Sequence, residues 1–256
     1  EFIAASMTMD ISNQNKLSEF YEELKRLNIK IVRPNINSSN ADFCSKDGVF
    51  YYALGGIKNV GYEAVQNIVI ERDENGPFKS INDFINRTDP KNINKLQLEG
   101  LVKSGAFDDL NDNRNLIYSS IPNLIIKSKN IFENKLNNQI DLFSDESMDS
   151  DEGYLLENIN EWNFEEKLKK EFESIGFFIS DHPLNQYKTL FKQYNIIDYE
   201  EFYTSENILS SNISCTILKV QEKKTQKGTS YAIIKFSDLS GVFELFVFSE
   251  VFESNR

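Results

Sequence analysis

The sequence is poor in the residues that build metal centres and nucleophilic triads. Its 256 residues include only two cysteines, Cys44 and Cys215, and one histidine, His182. Neither cysteine has a CxxC partner and His182 is near neither, so the sequence predicts no zinc site and no disulfide framework, as in a reduced cytosolic protein. Any Ser-His or Cys-His pair would need His182. Because Pro183 follows it, we interpret this dipeptide as a turn at a helix end.

Long apolar runs are also missing. No stretch approaches the roughly 18–20 apolar residues that span a bilayer, so we expect no membrane partner. The chain begins EFIAASMTMD, without an initiator Met or a basic-then-apolar signal, and ends SEVFESNR. The first stretch is typical of the middle of a helix. We therefore expect a fragment of a larger cytoplasmic protein.

What is present favours a folded chain of about two domains. Hydrophobic residues make up 40% and aromatic residues 12%. Apolar residues at helical spacing predict a helix over 16–27, shorter helices up to about residue 130, and a helix over 164–174. From residue 212, β-branched and aromatic runs separated by turns predict a three-stranded β-meander. The predicted fold class is multidomain α+β, mainly helical and then β.

The acidic residues are concentrated in one segment. The formal net charge is −12, which alone argues against a nucleic-acid partner. Residues 133–181 contain fourteen acids and four bases, so that window alone carries −10. The two flanking regions are nearly neutral and remain candidates for binding a polyanion.

Two short turns at 54–107 have the layout of phosphate-binding hairpins. In the first, Gly61 comes three residues after Lys58 and directly before a predicted helix. The buried face of that helix carries Ala64, Val65 and Ile68. We expect Gly61 to allow a sharp turn, and the first backbone N–H groups of the helix to hold a phosphate. In the second, a helix leads to Lys103 and Gly105, after which another helix is predicted to open at 106–107.

Together these turns resemble a tandem helix-hairpin-helix unit that grips the two backbones of a DNA duplex. Such binding would be independent of base sequence and sensitive to salt. The alternative is that Gly61 and Gly105 are ordinary turn glycines. The residues predicted to bind DNA are Ile57, Lys58, Asn59, Val60, Gly61, Val102, Lys103, Ser104 and Gly105.

Longer phrases resemble the C-terminal part of the alpha subunit of bacterial DNA polymerase III, the C-family of replicative polymerases. The phrases keep the family's order, although Asn28 stands where a glycine is expected and the acidic segment is richer in Asn and acids. They are RLNIKIVRPNINSSNADF, ALGGIKNVGYEAVQNIV, GPFKSINDFINRTD, INKLQLEGLVKSGAFDDL, EFESIGFFISDHPLNQY and KKTQKGTSYAIIKFSDLSGVFELFVFSEVFE.

The resemblance implies five segments. They are the end of a fingers domain (1–45), the tandem hairpin module (46–128), an acidic flexible linker with a clamp-binding peptide (129–165), a helical connector (166–211) and the truncated start of an OB barrel (212–256). OB barrels commonly bind single strands through basic grooves and aromatic stacking. The candidates for that role are Lys223, Lys224, Lys227, Tyr231 and Phe246, with Phe236 and Phe248 as further aromatics. Because strands alternate faces, about half of these four aromatic residues must belong to the core instead.

Within the linker, Gln139-Ile140-Asp141-Leu142-Phe143 resembles the peptide Gln-x-x-Leu/Met-Phe that bacterial polymerases insert into the sliding clamp. The implied clamp-binding residues are Gln139, Leu142 and Phe143. The implied partners are primer-template duplex, the clamp, single-stranded template and other replisome subunits.

No carboxylate constellation typical of a polymerase palm is present. Asp108 and Asp109 are interpreted as helix-capping residues. We therefore expect no catalytic residue, metal or cofactor in this segment, and Mg²⁺-dependent nucleotidyl transfer elsewhere in the longer chain.

Two alternatives stay open. A helix-hairpin-helix repair glycosylase or nuclease would need a catalytic residue after a hairpin, and Lys103 or Asp108 would be the candidates for that role. A non-catalytic scaffold would agree with the net charge of −12.

Overall fold

The computed structural model describes residues 1–136, 154–225 and 228–255. The chain divides into two compact units, residues 1–180 and 181–256. The first unit contains seven α-helices among its described residues: α1 Phe2–Met9, α2 Gln14–Arg26, α3 Tyr62–Asn75, α4 Ile81–Arg87, α5 Lys95–Lys103, α6 Arg114–Leu136 and α7 Phe164–Ile175. The helical region predicted to end near residue 130 thus continues to Leu136.

The predicted helix at 16–27 is confirmed as α2. Asn13 caps it by accepting a hydrogen bond from the Lys16 N–H, and its buried face includes Leu17 and Leu24. The chain leaves α2 through Asn28, whose φ of +53° lies in the left-handed region. Asparagine tolerates that region better than other non-glycine residues, which explains how it replaces the expected glycine.

A small mixed sheet follows α2. Its strands are β1 Lys30–Val32, β2 Cys44–Lys46 and β3 Val49–Tyr51, with β3 central, parallel to β1 and antiparallel to β2. Phe50 on β3 is fully buried. The sheet leads directly into the first hairpin, so this hairpin starts from a rigid element.

One hydrophobic core extends through the first unit, from Ala4 to Ile179. At its centre, the Phe84 ring packs edge-on against Phe78 at 5.1 Å and Phe107 at 5.0 Å. These aromatic contacts join α4 to the segment that follows α5. The helices around both hairpins therefore share one core with α1 and α2.

A buried guanidinium ties together four segments of this unit. Arg114, at the start of α6, is only 2% exposed. Its Nε and Nη2 donate to the two carboxylate oxygens of Asp108 at 2.7 and 2.6 Å, and its Nη1 donates to the Lys103 carbonyl at 3.1 Å. Nη1 also lies 3.6 Å from Oε2 of Glu171, a fully buried residue of α7.

The Glu161 carboxylate caps the same end of α6. It accepts hydrogen bonds from the backbone N–H groups of Arg114 and Asn115, at 2.9 and 3.2 Å, and from Trp162 at 2.7 Å. Burial opposes ionisation of Glu161, but these hydrogen bonds more than offset it and hold its pKa below the ordinary value. The start of α6 therefore contacts three carboxylates and carries one buried cation.

The second unit is built on an antiparallel sheet in the order β4 Thr216–Lys224, β5 Ser230–Ser237 and β6 Val242–Val247. Its helices are α8 Lys188–Gln193, α9 Tyr199–Thr204 and α10 Ser249–Ser254. Asp238, in the turn between β5 and β6, accepts a 2.6 Å hydrogen bond from the N–H of Tyr199, whose ring stacks on Phe243 at 3.9 Å.

The predicted fold class is confirmed. A helical region precedes an antiparallel meander, and no closed barrel is formed by the described strands. His182 caps the short 3-10 helix Pro183–Tyr187, as the predicted turn requires. Its Nδ1 accepts from the Leu184 N–H, and its Nε2 lies 3.0 Å from the Ser237 hydroxyl oxygen. The five predicted segment boundaries stay predictions.

We expect Arg114→Met to lower the free energy of unfolding by about 3–5 kcal/mol, because Glu171 and Asp108 would lose their shared cation. Urea denaturation of the 256-residue chain measures this change. Arg26→Met is the matched control, since Arg26 pairs with Glu23 in solvent, and it should leave the midpoint unchanged. Equal midpoints for the two variants would contradict the central role of Arg114.

Candidate nucleic-acid interface

The first hairpin turn is held in place by α7. After the 3-10 helix Leu54–Gly56, the backbone N–H of Lys58 donates to the Ser174 carbonyl at 2.8 Å, and the N–H of Val60 donates to Ile57 at 3.3 Å. Asn59 takes a left-handed φ of +64° and is exposed. The turn is thus rigid on one side and open to solvent on the other.

The N-terminus of α3 lies immediately after this turn and has no cap. Gly61 occupies the N-cap position without a capping side chain, and the first intrahelical bond runs from Val65 N–H to Gly61 O at 3.1 Å. The backbone N–H groups of Tyr62, Glu63 and Ala64 are therefore left without an intrahelical acceptor. Gly61, Tyr62 and Glu63 are exposed, so an anion can reach these donors.

The prediction that Gly61 makes the sharp turn is wrong. Its φ of −70° and ψ of 131° are open to any residue, and the sharp turn is made by Asn59. What favours a glycine is space, because a Cβ at this position would lie 3.1 Å from Nε2 of Gln97 on α5, which would have to shift by a few tenths of an ångström. Gly100 serves a related purpose, since a Cβ there would lie 2.8 Å from the Lys58 carbonyl oxygen. The sequence reading missed both Gln97 and Gly100.

The two predicted lysines differ in their surroundings. Lys58 is half-buried, its pKa is lowered by burial, and the described residues offer it no carboxylate partner. Lys103 pairs with Glu173 of α7 at 3.1 Å and lies 5.6 Å from the centre of the Tyr118 ring. Lys58 is therefore the cation with the greater capacity to take a new anionic partner.

The second hairpin is closed on itself. α5 ends at a glycine cap in which Gly105, with φ +80°, donates to Val102 O at 3.1 Å, and Ala106 donates to Leu101 O at 3.0 Å. The helix predicted to open at 106–107 does not form there, because the chain continues in turns and α6 begins only at Arg114. Val102, Ser104 and Gly105 are buried, and their N–H groups do not form an open cradle like that of α3.

The predicted capping role of the two aspartates is also wrong. Asp108 binds the Arg114 guanidinium, and Asp109 accepts a 2.6 Å hydrogen bond from the side chain of Asn35. That guanidinium also fills the space beside Gly105, where a Cβ would lie 2.7 Å from Arg114 Cζ and make a still closer contact with Nη2. Gly105 is thus fixed by both conformation and space, and any substitution there would disturb the core.

One face of the meander collects several of the residues predicted to contact single strands. Residues paired across antiparallel strands share a face. The pairs Lys223–Tyr231 and Ile233–Phe246 lie on the same face, together with the Lys219–Lys235 pair that the sequence reading did not include. Lys223 and Lys219 are exposed, and Phe246 is 58% exposed.

The other candidates lie elsewhere. Lys224 pairs with Ser230 on the opposite face, and Phe236 also lies there, stacked on Phe243 at 5.6 Å. Phe248 is exposed at the start of α10, beyond the last strand. Lys227 lies outside the described residues.

The clamp-binding residues Gln139, Leu142 and Phe143 also lie outside the described residues. Within the described ranges, no group of three or more His, Cys, Asp or Glu side chains could hold a metal ion. No helix of those ranges is both long and apolar enough to cross a bilayer.

Comparisons with known proteins bear on both units. A family model described as a helix-hairpin-helix motif matches residues 28–117. The DNA polymerase III alpha subunit of Caulobacter vibrioides is 34% identical over 250 residues, which are 96% of this chain and 21% of the relative. The alpha subunits of Borreliella burgdorferi and Campylobacter jejuni are each 34% identical over the whole of this chain. The matched part is 22% of the first relative and 21% of the second. The chain spans about a fifth of the length of these curated relatives.

Proposed function

Because the chain is homologous along nearly its whole length to one segment of the alpha subunits of DNA polymerase III, we propose that it is the DNA-binding part of a replicative polymerase. It would grip the backbone of primer-template duplex without reading the bases. In this proposal the chain is cytoplasmic, the other replisome subunits are its neighbours, and Mg²⁺-dependent nucleotidyl transfer belongs to the longer chain. The observation that carries the proposal is the uncapped N-terminus of α3 within the matched helix-hairpin-helix region.

The contacts available at this end of α3 suit phosphate oxygens. Three backbone N–H groups are unpaired, and the positive end of a 14-residue helix adds a favourable field for an anion. Lys58, three residues before Gly61, has no ion-pair partner among the described residues, and its ammonium, which lies beside Gly176 at the end of α7, would have to turn toward the phosphate. None of these groups discriminates between bases, so the same contacts would form at every position along a duplex.

The second hairpin would contribute differently. Its backbone donors are paired, so its contribution to duplex binding rests on the side chain of Lys103, which would have to exchange Glu173 for a phosphate. That exchange contributes less binding free energy than a new contact would, because the Lys103–Glu173 ion pair is lost when the contact with phosphate forms. The two hairpins are therefore expected to be unequal in their contribution to affinity.

Duplex binding by the chain should weaken steeply with salt, and Lys58→Met should reduce the slope of log K against log salt by about one. Fluorescence anisotropy with a labelled duplex at several salt concentrations measures both quantities. Lys103→Met should have a smaller effect because of Glu173, and Lys30→Met, on an exposed strand position, should have none. Binding that does not depend on salt would contradict the proposal and favour a scaffold, whereas base excision or strand cleavage by the chain would indicate a repair enzyme.

We further propose that the exposed face of the meander binds single-stranded template. The support is the arrangement of Lys223, Tyr231, Ile233 and Phe246 on one solvent-facing surface. Lysines would follow the backbone while the aromatic rings stack on bases.

For this surface, Phe246→Ala should weaken binding of a labelled oligothymidylate by about 1–3 kcal/mol, the usual contribution of one stacked base. Tyr194→Ala is the control, because Tyr194 is 65% exposed but lies at the end of α8, away from the sheet. Equal losses for the two variants would show that the sheet face has no special role in binding.

The clamp contact is proposed from the sequence pattern alone. Leu142 and Phe143 would enter an apolar pocket of the sliding clamp, each contributing about 1.5–3 kcal/mol on full burial. The Gln139 amide would both donate and accept hydrogen bonds at the pocket rim.

Replacing Leu142 and Phe143 together by alanine should abolish clamp binding while duplex binding is retained. Surface plasmon resonance with immobilised clamp measures the first property, and the anisotropy assay measures the second. Ile140→Ala, at a position that the pattern leaves free, should bind the clamp normally. Clamp affinity that survives the double substitution would refute this assignment.

A further inference from the structure

Gln97 is a buried amide with one end committed and the other without a partner. It is only 8% exposed and occupies the third position of α5. Its backbone N–H donates to Asn94 Oδ1 at 3.0 Å, and its Oε1 accepts from the Asn94 N–H at 2.9 Å, which together form a capping box. The described residues provide no acceptor for its Nε2 group. Although the residue as a whole is largely buried, the Nε2 atom itself is reached by solvent, so an anion can reach it too.

The uncommitted Nε2 faces the end of α3. It lies 3.1 Å from the position that a Cβ on Gly61 would take. Gly61 is the N-cap of α3, and an N-cap side chain normally extends into the space where it accepts from the second and third backbone N–H groups of the helix. Here that space is empty of any cap, and the Gln97 donor stands beside it. The Gln97 donor of α5 thus lies beside the uncapped N-terminus of α3.

We propose that Gln97 Nε2 and the backbone N–H groups of Tyr62, Glu63 and Ala64 form a single site for a phosphodiester oxygen of duplex DNA. This proposal rests on the proposed function and adds a residue from the second helical pair to the site of the first hairpin. It also gives Gly61 a purpose, because a larger residue would push the amide away from the anion.

The charges around the site are compatible with this ligand. Lys58 is the nearby cation of the hairpin, while Glu63 is the one acid in the first turn of α3 and is exposed to solvent. The other neighbouring acid, Asp42, accepts a 2.7 Å hydrogen bond from the Tyr62 hydroxyl. The Gln97 donor is neutral, so it adds affinity without adding to the salt dependence.

Gln97→Glu tests the proposal with little change in shape. A glutamate retains the capping box, since its carboxylate accepts from the Asn94 N–H, but it has no N–H to donate and brings a negative charge. We expect the full 256-residue chain to bind duplex at least tenfold more weakly with an unchanged unfolding midpoint. Gln66→Glu, exposed on α3, is the matched control for the added charge and should have a much smaller effect.

A neutral variant removes the Nε2 donor without adding a charge; because it also removes the Oε1 acceptor of the capping box, its unfolding midpoint is measured alongside binding. Gln97→Met should weaken duplex binding about tenfold, with the slope of log K against log salt unchanged. If Gln97→Glu binds as well as Gln66→Glu, or Gln97→Met binds as well as the unmodified chain, the proposal is overturned. A chain that fails to bind duplex before any substitution would instead overturn the proposed function.

Nuclear magnetic resonance identifies the source of the anion. A micromolar duplex should shift the Gln97 side-chain amide signals together with the backbone amides of Tyr62 and Glu63. Inorganic phosphate should shift them only at millimolar concentrations, because it lacks the other contacts along the backbone. Inorganic phosphate acting at the concentration of the duplex would contradict a site for nucleic-acid backbone.

Discussion

The buried guanidinium of Arg114 is the interaction on which the first unit depends. It lies where the end of α5, the Asp108 turn, the start of α6 and the middle of α7 meet, and it binds a group from each of the neighbouring segments. Removing a charge from water is costly, so such a site is stable only if every partner is in place. The same guanidinium excludes any side chain at position 105 and closes the second hairpin. Core electrostatics thus decide which hairpin remains open.

The result is an asymmetric pair. The first hairpin has an uncapped helix end, a lysine without an ion-pair partner among the described residues, and a glycine that leaves room for an amide from α5. The second has paired backbone donors and a lysine engaged with Glu173. Gly100 allows α5 to approach the Lys58 carbonyl closely, so the closed hairpin acts as the support for the open one. Rigid support for a set of donors is what makes their contact with an anion favourable, because little ordering remains to be done on binding.

Much of this arrangement could be predicted from the sequence, because it depends on local patterns. The helical spacing of Leu17 and Leu24, the alternation in the meander and the turn at the first hairpin all concern neighbours in the chain. The failures involve distant contacts. Asp108 looks like a helix cap until Arg114 takes it, and Gly61 looks like a turn glycine until Gln97 fills the space beside it. No single-sequence pattern contains such pairings, since they depend on how α5, α6 and α7 pack.

The position of α6 and α7 in one unit limits how far the chain between them can reach. Both helices belong to the same unit, so residues 137–153 are covalently joined to it at both ends. Phe143 follows Leu136, the last residue of α6, by seven positions, and a chain of that length spans at most about 25 Å. Any protein that captures Phe143 must therefore come within that distance of the end of α6. Covalent geometry alone therefore ties the reach of this peptide to the C-terminal end of α6, whatever conformation the residues between them adopt.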